Sequence, residues 1–251
     1  MVRRRVAHYD PGFEEPHNTG DSPTIQRMTA STAEPALTID VISDVVCPWC
    51  FVGRRRLGAA LQMQAQRDPG IRPLVRWQSF QLNPGLPREG IDRSAYLDAK
   101  FGGRERAGEI YDNVRAAGKR VGIDFAFERI DRQPNTLDVH RLISWAQARG
   151  DPEELVERLF RAYFLDGRSI GDREVLAAIA GEAGLPAEAA RAHLDSDEGV
   201  DTIAAMDQRV RELGVTGVPF FIFDGRVAVS GAQEPPVLVA AMEQAGKDDD
   251  A

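Results

Sequence analysis

The feature that most constrains the fold of this chain is a close pair of cysteines, Cys47 and Cys50, the only two in 251 residues. Pro48 and Trp49 lie between them. The β-branched run LTIDVIS precedes the pair, and the segment FVGRRRLGAALQMQAQR, dense in helix formers, follows it. The sequence therefore places the pair where a buried strand ends and a helix begins.

Three kinds of site contain such a pair: half of a zinc site, a structural disulfide, and a redox-active dithiol. A structural disulfide across so short a loop would remove little entropy from the unfolded chain. A closed zinc site needs four ligands. The histidines do not complete such a site, because no two of them have zinc-finger spacing. Redox chemistry therefore accounts for the local sequence better than a zinc site or a structural disulfide. The histidines are His8, His17, His140 and His193.

The expected position at a helix N-terminus suits redox chemistry. Unpaired backbone N–H groups and the positive end of the helix dipole favour a thiolate on Cys47. Pro48 suits the first helical position because no hydrogen-bond donor is needed there. Cys50 follows one turn later, so its sulfur can reach that of Cys47. We therefore predict that Cys47 is the nucleophile and Cys50 the resolving thiol, with no metal at the site.

Composition and charge narrow the class of protein. A hydrophobic fraction of 43% and a charged fraction of 28% are typical of a soluble globular chain with a sizeable core. The net charge of −8 argues against a nucleic acid or an anionic membrane as the main partner. No apolar run approaches the ~20 residues of a membrane span. Three arginines near the start are followed by polar residues instead of the apolar core of a signal peptide, so we expect a cytoplasmic protein.

The chain divides into segments of different character. The first is polar and lacks periodicity, and Met28 within it is a second candidate start. Two late β-rich runs, joined at Asp224-Gly225, predict a hairpin that needs a sheet to join, and the nearest sheet is the first one. The predicted segments are a disordered leader at 1–35, a strand–helix–strand unit at 36–83, a helical region at 84–214, the hairpin with a final helix at 215–246, and an acidic tail at 247–251.

Two motifs resemble the DsbA family of thioredoxin-fold proteins: CPWC directly after a strand, and GVTGVPFFIF at Gly214–Phe223. The segments SDVVCPWCFVGRRRL, WQSFQLNP, NTLDVHRL, LFRAYFLDGRSIGD and VSGAQ resemble the FrnE-like branch of that family. The resemblance implies an α/β fold, a thioredoxin fold interrupted by a large all-helical insertion domain. Residues 36–83 and 215–246 would form the thioredoxin-like domain, and 84–214 the insertion. The implied activity is dithiol–disulfide oxidation and reduction on protein or small-molecule disulfides and thiols.

The resemblance also implies roles for residues far from the pair in sequence. Val218-Pro219 takes the position of a cis-proline that lies against the redox pair and leaves the Val218 backbone open to a substrate strand. The alternative is a proline that only opens a strand. His140, on a helix that could cover the cleft, and Gln233, in the VSGAQ loop, are candidate substrate-binding residues. A packing role for His140 and a turn role for Gln233 stay open.

Two departures from the family pattern bear on reactivity. Thioredoxins carry a buried carboxylate six residues before the first cysteine, but here that position is Val41. Asp44 is the nearest alternative, and it could instead cap the helix or form a turn. Trp49 stands where strongly oxidising periplasmic relatives have histidine, which predicts a less stabilised thiolate and a weaker oxidant. We therefore favour the reductase or isomerase direction.

Two other classes of function compete with this one. Kappa-class glutathione transferases and 2-hydroxychromene-2-carboxylate isomerases share the fold, but they have serine at the redox turn, whereas this chain keeps both cysteines. A non-catalytic chaperone or binding module could use the cleft beneath the helical region. For the favoured function we expect no cofactor besides the redox-active disulfide, with glutathione as a candidate reductant. We expect a monomer or homodimer.

Overall fold

The computed structural model describes residues 2–4 and 37–247, which form a five-stranded sheet with flanking helices and a helical insertion. The strands are β1 (Val2–Arg4), β2 (Thr38–Ser43), β3 (Leu74–Ser79), β4 (Ile91–Asp92), β5 (Arg132–Gln133), β6 (Phe220–Phe223) and β7 (Val227–Ser230). The helices are α1 (Pro48–Arg67), α2 (Arg93–Phe101), α3 (Arg104–Arg120), α4 (Leu137–Gln147), α5 (Glu153–Phe164), α6 (Arg173–Glu182), α7 (Ala187–Asp195), α8 (Val200–Glu212) and α9 (Pro235–Ala245).

The main sheet has the strand order β1-β7-β6-β2-β3. Strands β2 and β3 are parallel and are joined through α1, as the strand–helix–strand pattern predicted. The late hairpin joins this sheet through antiparallel pairing of β6 with β2, which confirms the predicted interrupted thioredoxin fold. Its turn differs in length from the predicted two residues, because Phe223 pairs with Val227 and leaves three residues between the strands. Asp224 and Gly225 both have positive φ in that turn, at 53° and 65°.

The start of the chain differs in part from the expected leader. Residues 2–4 lie in the predicted disordered leader, but they form β1, which pairs antiparallel with the edge strand β7. Backbone pairing to a sheet edge needs no apolar pattern, so no local pattern in the sequence indicates it. The remaining leader, residues 5–36, and tail residues 248–251 lie outside the described part of the chain.

The region from 84 to 214 is helical in its long segments, as predicted, with one addition. Strands β4 and β5 form a separate two-stranded ribbon, with Ile91 opposite Gln133, so the insertion is not entirely helical. Each strand has two residues, too few for a detectable alternation. Helix α8 lies within the same region by sequence, but its Val210 packs with Ile42 and Ile222 of the sheet.

One hydrophobic core runs from the sheet through α1 into the insertion. Phe51, in the first turns of α1, stacks on Phe160 of α5 with ring centroids 5.1 Å apart and planes at 4°. Phe125 meets the same Phe51 ring edge-on at 6.1 Å. All three rings are buried. Because aromatic side chains bury large areas, this cluster fixes α1 against the insertion as well as against the sheet.

The opposite side of α1 approaches the loop before β6, and Gly53 makes that approach possible. A Cβ atom at Gly53 would lie 2.9 Å from Pro219 Cγ and 3.3 Å from the ring of Phe221. Real Cβ atoms essentially never come so close to another heavy atom, so any larger residue would push the helix and the loop apart. Gly58 lies five residues further along α1, and a Cβ atom added to it would have no heavy atom within 4 Å.

We expect Gly53→Ala to lower the free energy of unfolding by about 1–3 kcal/mol, because it overpacks the contact between α1 and Pro219. Urea denaturation followed by circular dichroism measures the change. Gly58→Ala is the matched control and should be neutral or stabilise by up to about 1 kcal/mol, since alanine is the better helix former. Equal effects of the two changes would contradict the packing account.

Candidate active site

The cysteine pair lies at the N-terminus of α1. Cys47 is the N-cap residue, in extended conformation, and Pro48 occupies the first helical turn. The Cys47 N–H donates to the Asp44 carbonyl at 3.0 Å, which closes the turn from β2, and the Cys50 N–H donates to the Cys47 carbonyl at 3.0 Å. Since no side chain among the described residues caps this terminus, the positive end of the helix dipole acts on the pair.

The loop before β6 faces the cysteines, although it is far away in sequence. The Val218–Pro219 peptide bond is cis, as the family resemblance implies. The Cys47 thiol donates to the Val218 carbonyl, with 3.5 Å between sulfur and oxygen. Both thiols are free. The fold therefore brings together the two motifs that carried the resemblance.

The two sulfurs differ in their surroundings. Cys50 is 2% exposed and Cys47 is 6% exposed, whereas Trp49 between them is 37% exposed. Burial raises the pKa of the Cys50 thiol well above its ordinary value, and the adjacent Cys47 sulfur raises it further. Contacts with the Ser43 hydroxyl and the Asp44 backbone act in the opposite direction. Burial thus favours the protonated form of the Cys50 thiol.

Asp44 is fully buried and does not cap α1. Its carboxylate accepts the Leu82 N–H at 2.8 Å and the Val46 N–H at 3.4 Å, so it ties the turn before the cysteines to the segment after β3. The turn role considered from the sequence is therefore present. The position six residues before Cys47 is Val41, buried in the core between Trp77 and Phe221 of the neighbouring strands.

His140 reaches the same place from the insertion. It lies on α4, is buried, and places its Nε2 atom 3.6 Å from Asp44 Oδ1. Because the His140 side chain is buried, the structure does not support a contact between it and substrate. The structure instead places His140 behind the redox pair, at the junction of the insertion with the end of the sheet.

The arginine run Arg54–Arg56 in the sequence permits two interpretations, a source of positive field at the thiolate or a solvated helix face. The structure supports neither. Arg54 and Arg55 both pair with Glu157 of α5, and Arg56 pairs with Glu234 and the Ala232 carbonyl. These partners neutralise the guanidinium charges and hold α1 against the insertion and α9. Glu157 lies more than 100 residues away in the chain, too far for a local sequence pattern to indicate it.

Gln233 stabilises its own turn. Its Nε2 atom donates to the Ser230 carbonyl at 2.8 Å, which is the turn role left open by the sequence. The same turn is joined to the cis-proline loop, because the Gly231 N–H donates to the Pro219 carbonyl at 2.8 Å. The VSGAQ segment therefore supports the Val218–Pro219 loop through a backbone hydrogen bond.

Ser43 is a site residue that the sequence reasoning missed. It ends β2, is buried, and lies next to the Cys50 thiol. Alternation along β2 places Ser43 on the same face as Ile39 and Val41, which pack in the main core. A hydroxyl on the otherwise apolar face of this strand was the signal that could have identified it.

Two further findings concern metal and membrane. Among residues 2–4 and 37–247, no group of three or more histidine, cysteine, aspartate or glutamate side chains is arranged to hold a metal ion. No helix in the described part of the chain is long and apolar enough to cross a bilayer.

The fold and the paired cysteines beside a cis-proline define a protein of the thioredoxin-fold class, and comparison with known proteins agrees. The chain belongs to the DSBA-like thioredoxin domain family, which it matches over residues 38–243. It is similar to a probable DsbA oxidoreductase from Streptomyces coelicolor, with 36% identity, a TM-score of 0.76, and coverage of 86% of this chain and 92% of that one.

Two other relatives extend the comparison. The uncharacterized protein YwbO of Bacillus subtilis is 25% identical over 210 residues, which cover 83% of this chain and 97% of that one. The cytosolic disulfide reductase DsbM from Pseudomonas aeruginosa, in a structure with GSH, shares the fold, with 19% identity, a TM-score of 0.54, and coverage of 83% and 95%.

We expect iodoacetamide near neutral pH to modify Cys47 before Cys50 in the reduced protein. Cys50 is the deeper thiol and its raised pKa keeps it protonated, and each pKa unit changes the reactive thiolate fraction about tenfold. Peptide mapping after brief treatment measures the ratio. In denaturant the two thiols should react alike, and preferential labelling of Cys50 in the folded protein would contradict the assignment.

Proposed function

We propose that this protein is a thiol–disulfide oxidoreductase of the FrnE-like branch, working in the reductase or isomerase direction on disulfide substrates. The observation that carries the proposal is the placement of the Cys47 sulfur. It lies at an uncapped helix N-terminus, 3.5 Å from the Val218 carbonyl of a cis-proline loop, with the buried thiol of Cys50 one turn behind it. An attacking sulfur at a helix terminus with a protonated thiol one turn behind it suits dithiol exchange.

The reaction has two exchange steps. The Cys47 thiolate attacks one sulfur of the substrate disulfide, forms a mixed disulfide, and releases the other substrate sulfur as a thiolate that takes up a proton. Cys50 then loses its proton and attacks the Cys47 sulfur, which releases the second substrate thiol and leaves a Cys47–Cys50 disulfide. Two electrons pass from the enzyme to the substrate. A reducing thiol, for which we propose glutathione, returns the enzyme to its dithiol form.

The surface around Cys47 supports binding of an extended substrate. Trp49 is exposed beside the pair and offers an apolar contact. Val218 is half-buried, so a substrate segment can pair with its backbone in the manner of an added strand. We keep Gln233 in the proposal only as a support of this loop, because its amide bonds to Ser230.

The proposed direction rests on Trp49 and on the pairing of the nearby arginines. Trp49 replaces the histidine of the strongly oxidising relatives, and the nearby arginines Arg54–Arg56 are paired with carboxylates. Stabilisation of the Cys47 thiolate is therefore left to the helix terminus, which makes the reduced form less favoured than in DsbA. A reductase needs a reducing thiol pool, so we propose the cytoplasm as its compartment.

We expect the protein to catalyse the reduction of insulin by glutathione or dithiothreitol, and Cys47→Ser to reduce the rate to that of the uncatalysed reaction. Insulin precipitation followed by light scattering measures it. Cys50→Ser should retain the attack but not the resolution, so mixed disulfides should accumulate on Cys47 and be identified by mass spectrometry. A Cys47→Ser variant with full activity would overturn the proposal.

The same variants separate the competing functions. Glutathione conjugation that survives Cys47→Ser would favour a transferase or isomerase of the kappa or 2-hydroxychromene-2-carboxylate type. Suppression of protein aggregation by the Cys47→Ser, Cys50→Ser double variant, with no disulfide activity in the parent protein, would favour a chaperone.

We expect the reduction potential of the Cys47–Cys50 pair to lie in the range of roughly −180 to −270 mV that separates protein disulfide isomerase from thioredoxin. Trp49→His should move it toward the oxidising end, because a histidine beside Cys47 stabilises the thiolate. Equilibration with glutathione buffers, followed by alkylation and mass spectrometry, gives both values. A potential near the ~ −120 mV of DsbA would reject the reductase direction.

A further inference from the structure

The junction behind the redox pair contains buried polar atoms with unused hydrogen-bonding capacity. His140 Nε2 and the Ser43 hydroxyl are buried and have no aligned hydrogen bond with any described residue. Asp44 Oδ1 lies 3.6 Å from His140 Nε2 and otherwise accepts only the long bond from Val46. Buried polar groups normally have partners, so two unpartnered atoms beside a weakly bonded carboxylate oxygen indicate a function.

Ser43 and His140 line the same small cavity between the end of the sheet, α4 and α5. Its volume is about 10 Å³, close to the lower limit for one water molecule. Ser43, Ser79 and Ser144 add hydroxyl groups to its wall. A water molecule needs two to four polar partners, and this wall supplies them.

The same Ser43 hydroxyl lies next to the Cys50 thiol. Ser43 therefore belongs both to the surroundings of Cys50 and to the wall of the cavity that His140 lines. Cys50 is the group that must lose a proton when it resolves a mixed disulfide, and it has little exposure to bulk water through which to lose it. A path from Cys50 through Ser43 ends at the His140 imidazole, a base that lies next to the Asp44 carboxylate.

We propose that His140, carried by the helical insertion, accepts the proton of Cys50 through the Ser43 hydroxyl and a water molecule in this cavity, and that Asp44 stabilises the resulting imidazolium. This inference rests on the proposed redox role of the pair. In the resolving step the S–H bond of Cys50 breaks and a sulfur–sulfur bond to Cys47 forms. The departing substrate thiolate leaves with the electron pair, and the proton moves to His140 and later to solvent.

The titratable groups around this path are few. Asp44 faces His140 directly, Cys47 faces Cys50, and Tyr163 of α5 is buried near enough to feel the charge of Asp44. Four charged groups on elements packed against α4 are paired with other residues: Glu153 with Trp77 and Arg54, Arg173 with Asp138, His193 with Glu198, and Asp207 with Arg211.

Stopped-flow reaction with 5,5′-dithiobis(2-nitrobenzoate) tests the proposal, because the reagent separates the two steps. Cys47 attacks in a phase whose rate depends on reagent concentration, and Cys50 then releases the second coloured thiolate in a phase that does not. We expect His140→Gln to slow the second phase near neutral pH by about a hundredfold or more, within the usual contribution of a proton acceptor. The first phase should be unchanged.

The pH profile distinguishes proton transfer from a merely structural role. The ratio of the second-phase rates of the parent protein and His140→Gln, here called the deficit, should shrink as the pH rises, because hydroxide can then remove the Cys50 proton directly. A deficit that persists at high pH would overturn the proposal. His193→Gln is the matched control: this second histidine of the insertion is also buried with its Nε2 atom unbonded, but it packs on Trp145 with ring centroids 6.0 Å apart. It should leave both phases unchanged.

Ser43→Ala provides an independent test if His140→Gln does not fold. It removes one oxygen and should slow the second phase with the same pH dependence, whereas an unchanged second phase in this folded variant would reject the path. The reagent reacts with any accessible thiol pair, so the assay reports on the path even if insulin is not reduced. If the parent protein reduces insulin but the second phase is unchanged in His140→Gln, the path is rejected and the proposed function stands.

Discussion

The site depends on helix α1 being packed from two sides at once. On one side Gly53 lets the helix touch Pro219, with only 2.9 Å between a Cβ position and Pro219 Cγ. On the other side Phe51 stacks on Phe160 of the insertion. Because protein interiors are close-packed, neither contact can change without moving the helix. The position of the Cys47 sulfur relative to Val218 follows from this double contact.

The same packing gives the two cysteines different chemistry. Cys47 lies at the helix terminus beside exposed Trp49, whereas Cys50 is enclosed by the core and its pKa is raised by that burial. A thiol in a helix interior that faced solvent would titrate in the ordinary range. The different roles proposed for the two sulfurs therefore depend on their positions in the fold, since both residues have the same side chain.

The helical insertion contributes more than a cover over the sheet. Its α5 supplies Glu157, which neutralises Arg54 and Arg55, and its α4 supplies His140, which lies against Asp44. Partly buried ion pairs and a buried histidine make the insertion part of the electrostatic environment of the redox pair. The chemistry proposed for Cys50 would change if the insertion were displaced, even with the thioredoxin-like sheet intact.

Local patterns determined most of the architecture. The strand, helix and strand around CPWC, the hairpin near Asp224 and the long helices of the insertion all follow from periodicity and turn residues, which act over a few positions. Patterns of this kind do not report on partners that are distant in the chain. The interpretation of Arg54–Arg56 failed for that reason, because Glu157 becomes their neighbour only after folding.

The sequence by itself determined that two cysteines stand at a strand–helix junction, and by resemblance that a Val-Pro loop should face them. Only the tertiary structure decided how deep each sulfur lies, and that Ser43, Asp44 and His140 meet behind Cys50. The physical reason is that secondary structure depends on interactions between near neighbours, whereas burial and charge pairing depend on chain segments that packing brings together from far apart.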